Sequence, residues 1–255
     1  MTSEKQLKVD GSPVVPHPPL GRYYSSEGER RDFVDRIFDS TAPHYDWINS
    51  LLSFGTGIRY RRDALERAGI QAGMRVLDVC TGSGQVARAA IELVGTQGLV
   101  VGLDGSLGMV AEARKEVSIP LAQSYVEYLP IAAQQFDAVT MGYALRHVAD
   151  LGLVFQEYLR VLKPGGNLLI LEFTKPRSKW MYHAARIYLR RVVPAVARLK
   201  GRDARTLMEY FWDTIENCVP PEIILQALGE AGFSVPARFG QIDLFSEYTA
   251  SRPQV

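Results

Sequence analysis

The sequence predicts an α/β fold: a doubly wound, seven-stranded, mostly parallel sheet with an antiparallel strand at its C-terminal edge and a helical cover. Three observations carry this. An apolar run from Arg75 to Cys80 turns through Thr81-Gly82-Ser83-Gly84 directly into a helical pattern, as a ligand-binding strand-loop-helix does. Short apolar runs and amphipathic stretches then alternate as far as Phe173, which suits parallel strands joined by crossover helices. Beyond Phe173 a basic helical stretch intervenes before two last strand-like runs.

Composition narrows the class. The 255 residues, 47% hydrophobic, suit one core with appendages. A formal charge of +1 gives no global reason to expect a nucleic-acid partner. Cys80 and Cys218 make no disulfide framework, and no basic-plus-apolar signal segment opens the chain. No apolar run approaches the roughly 20 residues that span a bilayer, so the expectation is a cytoplasmic protein whose membrane contact, if any, is peripheral. No metal-ligand spacing is present among His17, His44, His147 and His183.

Residues 1–25, with Pro13, Pro16, Pro18 and Pro19 among polar neighbours, read as a mobile tail. Residues 26–70 read as a helical lid, beginning with a stripe of Phe33, Val34, Ile37 and Phe38. Within it Tyr45 has two readings: a core cap, or a ring and hydroxyl held over a cationic ligand. Residues 71–255 form the main domain, with a helical insertion at about 176–218.

Gly82 and Gly84 permit close backbone approach, and the following helix offers its positive end to a ligand. Gly82 to Ala87 also fits the dinucleotide fingerprint G-x-G-x-x-A, with Asp104 placed to accept from ribose hydroxyls. The alternative to a ligand role is a plain strand-turn-helix, with Asp104 a helix cap. Asp78 decides between ligands: a carboxylate at the loop mouth repels a pyrophosphate but complements the ammonium of S-adenosylmethionine. Cys80 reads as a small buried filler.

Leu99 to Leu103 is a second buried strand, followed by a helix over Met109 to Val117 and a short strand over Pro120 to Tyr125. A fourth strand, Phe136 to Met141, runs into Gly142 at the carboxyl end, where ligands bind in such sheets. A helix over Leu153 to Leu162 ends at Lys163-Pro164-Gly165-Gly166, a turn into strand Leu168 to Phe173. From Lys175 to Arg205 the apolar positions Ala185, Tyr188, Leu189, Val192, Val193 and Val196 recur at helical spacing, with a kink expected at Pro194. Arg186, Arg190, Arg191, Arg198 and Lys200 fill the other face, so 180–200 reads as a membrane-surface contact, a substrate lid or a solvated face. A helix over Glu222 to Glu230 and strands near 237–240 and 242–249, as an edge hairpin, complete the chain.

The run Phe38-Asp39-x-x-Ala42-x-x-Tyr45-Asp46-x-x-Asn49-x-x-x-Ser53-Phe54-Gly55 resembles the leading segment of the UbiE-type methyltransferases of ubiquinone and menaquinone biosynthesis. The resemblance continues through Val76 to Gly84, Leu145-Arg146, Leu162 to Gly166 and Glu172-Phe173, covering about residues 33 to 233. It implies a Rossmann-like methyltransferase fold, S-adenosylmethionine as cofactor, and C-methylation of a prenylated quinol ring. It also implies that Asp78, Gly82, Ser83, Gly84, Asp104, Tyr125, Val126 and Gly142 border the cofactor, with Tyr125 and Val126 standing where the family carries Asp or Asn and Ala. Arg146 is expected to hold an oxyanion or orient a water, and His147, where the family has Asn, to act as general base; the alternative for both is a polar residue that ties down a loop. Glu172 is expected to face the pocket. The final strands depart from the family pattern, which leaves an O- or N-methyltransferase of a secondary metabolite or lipid head group as a rival; an NAD-dependent oxidoreductase and a non-catalytic cofactor-binding subunit are the others. A homo-oligomer is compatible with the sequence.

Overall fold

The computed structural model describes residues 13–53, 57–241 and 243–254. Phe54, Gly55 and Ile242, which the sequence reading used, lie outside these residues. Seven strands form one sheet in the order β3-β2-β1-β4-β5-β7-β6. They are β1 (Arg75–Val79), β2 (Leu99–Asp104), β3 (Leu121–Gln123), β4 (Phe136–Gly142), β5 (Leu162–Phe173), β6 (Ser234–Gln241) and β7 (Phe245–Ser251). The first five pair in parallel, while β7 runs antiparallel between β5 and β6, closing the expected edge hairpin.

The central strands are apolar on both faces because helices cover both. On one side, α6 (Leu151–Val161) and α10 (Pro221–Glu230) bury Phe155, Tyr158, Ile224 and Leu228 against β4 and β5. On the other, α3 (Gly57–Arg67) and α4 (Gln85–Val94) bury Leu65, Ala87 and Ala90 against Val76, Ala138 and Leu169. Then α5 (Leu107–Glu116) follows β2, capped by the Ser106 hydroxyl, which accepts from the Met109 N–H.

A third apolar cluster lies above the carboxyl ends of the strands. It joins α1 (Glu27–Thr41) and α2 (Tyr45–Ser53) to the inserted helices α7 (Lys179–Ile187), α8 (Val193–Ala197) and α9 (Arg202–Asn217), through Phe33, Ile37, Leu189, Val193, Tyr210 and Trp212. The kink expected at Pro194 takes the form of a π-turn over Tyr188–Val192, directly ahead of the proline in the first turn of α8. A widened turn accommodates the residue that cannot donate.

Two local readings change. The stretch Lys163 to Gly166 is not a turn before β5 but a bulge within it, so that Phe136 pairs with Leu162 while Ala138 pairs with Asn167. Residues 13–25 are not a loose tail: Val14 N–H donates to Asp150 and Val14 O accepts from Leu151, Pro16 O accepts from Val219, and His17 and Tyr24 are buried. The prolines prevent regular structure there, but not packing. No helix of the described residues is long and apolar enough to cross a membrane.

Candidate active site

The sheet reverses its winding between β1 and β4, and at both strand ends a non-glycine residue takes a left-handed conformation: Cys80 (φ 54°) and Tyr143 (φ 62°). Each costs about 1–2 kcal/mol, and both residues border the crevice that opens at this switch point. Gly82 (φ 57°) and Gly84 (φ 86°) shape the loop after β1; a Cβ on Gly84 would lie 3.2 Å from Val117. Asp104, at the end of β2, fixes this loop by accepting the Gly82 N–H on Oδ2 at 2.8 Å and the Ser106 N–H on Oδ1 at 2.9 Å.

The crevice encloses about 630 Å³ between the strand ends and α1. Of the residues expected at the cofactor, Gly82, Asp104, Tyr125, Val126 and Gly142 line it. Burial raises the Asp104 carboxyl to about 6, which leaves it ionised at neutral pH with lone pairs to spare for two hydroxyls. Such a wall fits the ribose of S-adenosylmethionine. Glu127 also lines the crevice and steadies its rim by accepting the Ala149 N–H, a contact the sequence reading did not foresee.

Three expectations are corrected. Asp78 does not stand at the loop mouth; it is fully buried beneath it, with Oδ2 accepting the Thr81 hydroxyl at 2.6 Å and Oδ1 the Thr140 hydroxyl at 2.7 Å. Ser83 and Gly84 do not line the crevice, because the Ser83 hydroxyl donates to Asp46 and Gly84 turns toward α5. Arg146 does not line the crevice: it is fully buried, paired with Glu172 at 2.9 Å, and donates to Thr214, to Phe211 O at 3.3 Å and to Tyr143 O at 3.4 Å. Arg146 and Glu172 therefore tie the end of β4 to β5 and α9, so both are positioning residues, and Glu172 does not line the crevice.

Carboxylates latch the N-terminal helices over the crevice. Asp39 accepts the Gly108 N–H at 2.8 Å and the Ser106 hydroxyl, Asp46 accepts from Ser83 and from Gln85 at 2.7 Å, and Asp35 accepts the Tyr125 hydroxyl at 2.7 Å. The Tyr45 ring lies against Gly82, 3.7 Å from where a Cβ would stand, and also packs on the apolar cluster of the helical cover. Burial pushes the Tyr45 phenol up to about 12, keeping it neutral.

A second cavity of about 280 Å³ adjoins the first. Phe38, Tyr45, Tyr143 and His147 border both. Its far walls are largely apolar, with Ile48 and Leu52 from α2, Phe173 and Phe245 from the sheet, and Leu207, Met208 and Phe211 from α9. His147 stands in the partition, its ring stacked on Tyr210 with Nδ1 3.2 Å from the Tyr210 hydroxyl. Burial, then the charges of Arg146, His17 and Arg30, hold its pKa well below the usual value, so the imidazole is neutral.

Tyr60, Arg61 and Tyr143 also line this second cavity, and none was singled out from the sequence. For Arg61 a signal existed. The buried positions of α3 are Gly57, Arg61, Ala64 and Leu65, so a cation occupies the apolar stripe.

Residues 25–240 match the model of the ubiE/COQ5 methyltransferase family. The ubiquinone/menaquinone biosynthesis C-methyltransferase UbiE of Shewanella piezotolerans is 34% identical over 219 residues, 83% of this chain and 87% of that one. Its namesake from Pseudomonas savastanoi pv. phaseolicola is 34% identical over 230 residues, 88% and 90% of the two chains. Among solved structures, an S-adenosylmethionine-dependent methyltransferase from Aquifex aeolicus superposes with a TM-score of 0.57 at 20% identity, over 75% of this chain and 89% of that one. The phosphoethanolamine N-methyltransferase 2 of Haemonchus contortus, in complex with S-adenosyl-L-methionine, gives 0.62 at 21% identity over 91% and 61%. At those identities the likeness is one of fold.

Proposed function

The chain belongs to the ubiE/COQ5 methyltransferase family and is an S-adenosylmethionine-dependent methyltransferase; from that premise we propose that it methylates a ring carbon of a prenylated quinol. One observation carries the acceptor reading: a mostly apolar cavity shares an aromatic partition with the cofactor crevice, so an aromatic ring seated there meets the donor across Tyr45, Tyr143 and His147.

When bound, S-adenosylmethionine supplies a methyl group to the acceptor's nucleophilic carbon. In this reading the chain aligns the two and excludes water. Asp104 accepts from the ribose hydroxyls, the Gly82 and Gly142 backbones allow close approach, and the latched helices α1 and α2 form a lid. Tyr45 lines the crevice, where an aromatic ring suits a cationic sulfur. Neutral His147 accepts the proton that the acceptor's hydroxyl gives up and returns it to that oxygen when the ring carbon, having gained the methyl, releases its own proton to solvent.

We also place the protein at a membrane surface in the cytoplasm. On α7, Trp180 and Ile187 stand two turns apart on one face and are 70% and 57% exposed; Leu199 beyond α8 is 81% exposed. Arg186, Arg191 and Arg198 are exposed beside them. Apolar side chains ringed by cations suit an anionic lipid surface, which holds prenylated substrates.

The reading is tested by incubating the protein with methyl-labelled S-adenosylmethionine and a panel of short-chain prenylated benzoquinols and naphthoquinols. Label on a ring carbon is the expected product. Label on oxygen or nitrogen, or on none of the panel, refutes the assignment.

A further inference from the structure

Arg61 is 6% exposed, yet among the described residues it has neither a hydrogen-bond acceptor nor a carboxylate partner; its Nε is buried and unpaired. Its guanidinium lies over the Tyr143 ring, 5.2 Å from the centroid, in the wall of the acceptor cavity. The neighbouring Tyr60 hydroxyl is likewise buried and has no hydrogen-bond partner within 3.5 Å, although the Glu247 carboxylate stands near it. The carboxylates behind the walls are engaged elsewhere: Glu247, beside Tyr60, is paired with Arg67 at 2.7 Å, and Asp78 accepts the Thr81 and Thr140 hydroxyls. Asp63 is the only carboxylate among the described lining residues and is exposed at the rim, while Tyr45, Tyr143, Tyr210 and His147 are neutral.

A buried cation without a partner is costly, and proteins rarely keep one without an anion to meet it. Neutral Tyr60 can donate to the same anion. Resting on the quinol reading above, we infer that Arg61, assisted by Tyr60, forms an oxyanion subsite that binds the acceptor's ring oxygen as phenolate. The step breaks only the acceptor's O–H bond, and the guanidinium stays protonated throughout. Ionising that oxygen loads electron density onto the adjacent ring carbons, and holding it fixes which carbon faces the partition. The subsite also compensates for a weakly basic His147, since an acceptor acidified by Arg61 yields its proton more readily.

The test uses the full chain saturated with S-adenosylhomocysteine and, as probe, 4-nitrophenol, whose ionised form absorbs visible light. Titration of the bound probe gives its apparent pKa without any turnover, its proton passing to solvent. Bound to the wild type, the probe should titrate about one pH unit or more below its value in water, as expected beside a fixed cation. Arg61→Met should abolish that shift and weaken phenolate binding about tenfold or more, while Arg61→Lys, which keeps the charge, should retain part of it. S-adenosylhomocysteine affinity, read at the neighbouring crevice, should be unchanged in both variants and reports that they are folded; Arg61→Gln substitutes for the Met variant should that one not fold. An Arg61→Met protein that still lowers the probe's pKa, or a wild type that does not bind the probe or does not shift it, overturns the inference. Failure of the quinol reading leaves a different trace: no quinol is methylated although the probe's shift depends on Arg61.

Discussion

Replacing Asp104 by Asn perturbs the cofactor crevice at its most determined point. Each carboxylate oxygen already accepts one backbone N–H, from Gly82 at 2.8 Å and from Ser106 at 2.9 Å, so each has one lone pair to offer a ribose hydroxyl. An amide removes the charge and sets an NH2 group against one backbone donor. A hydrogen bond to a charged group contributes about 1.5–3 kcal/mol, and the amide oxygen retains only a weaker form of one of two. The expected loss is about 2–3 kcal/mol, roughly 30- to 150-fold in S-adenosylhomocysteine affinity. The pH dependence is a second signature. Because burial raises Asp104 to about 6, wild-type affinity should be flat near neutrality and fall by up to about tenfold per unit below pH 6, whereas the variant should lack that limb. The sign for folding is opposite. A carboxyl raised above its unfolded value stabilises the apoprotein at low pH, and that contribution is lost as pH rises through about 6, for Asp78 as for Asp104. Calorimetric titration at several pH values, paired with thermal unfolding with and without ligand, measures both. A variant that binds within about threefold of the wild type, or a wild type whose affinity ignores pH below 6, refutes the role given to Asp104.

Arg146→Met should destabilise the fold by about 3–5 kcal/mol in urea unfolding, by stranding Glu172, and Arg146→Met with Glu172→Leu should recover part of the loss. Direct loss of turnover at unchanged stability would instead return Arg146 to the chemistry. His147→Ala should leave S-adenosylhomocysteine affinity within about threefold while lowering methyl transfer about 100-fold or more, read by single-turnover kinetics. An unaltered rate would remove His147 from the mechanism. Binding to anionic vesicles should weaken with salt, and reversing Arg186, Arg191 and Arg198 to Glu should abolish it, since each cation near the surface contributes about 1 kcal/mol. Equal binding to neutral vesicles would refute the electrostatic contact.

The sequence alone determined the sheet, the loop after β1 and the acid at the end of β2, because each rests on local pattern: an apolar run, glycines at a turn, a carboxylate at a strand end. Local pattern cannot state where a side chain's charge is spent. Asp78 and Arg146 sit in motifs that suggested ligand contact, yet one is consumed by the hydroxyls of Thr81 and Thr140 and the other by Glu172 and α9, partners up to 68 residues away. Pro13 to Pro19 lacked any period and so read as tail, although Val14 O and Pro16 O dock on α6 and the segment before α10, and the His17 carbonyl accepts from Arg30 of α1. Arg61 stood in view as a cation in an apolar stripe. Only the convergence of α2, α3, α9 and the strand ends enclosed it in a cavity without a carboxylate inside, because burial and pairing are properties of distant segments brought together.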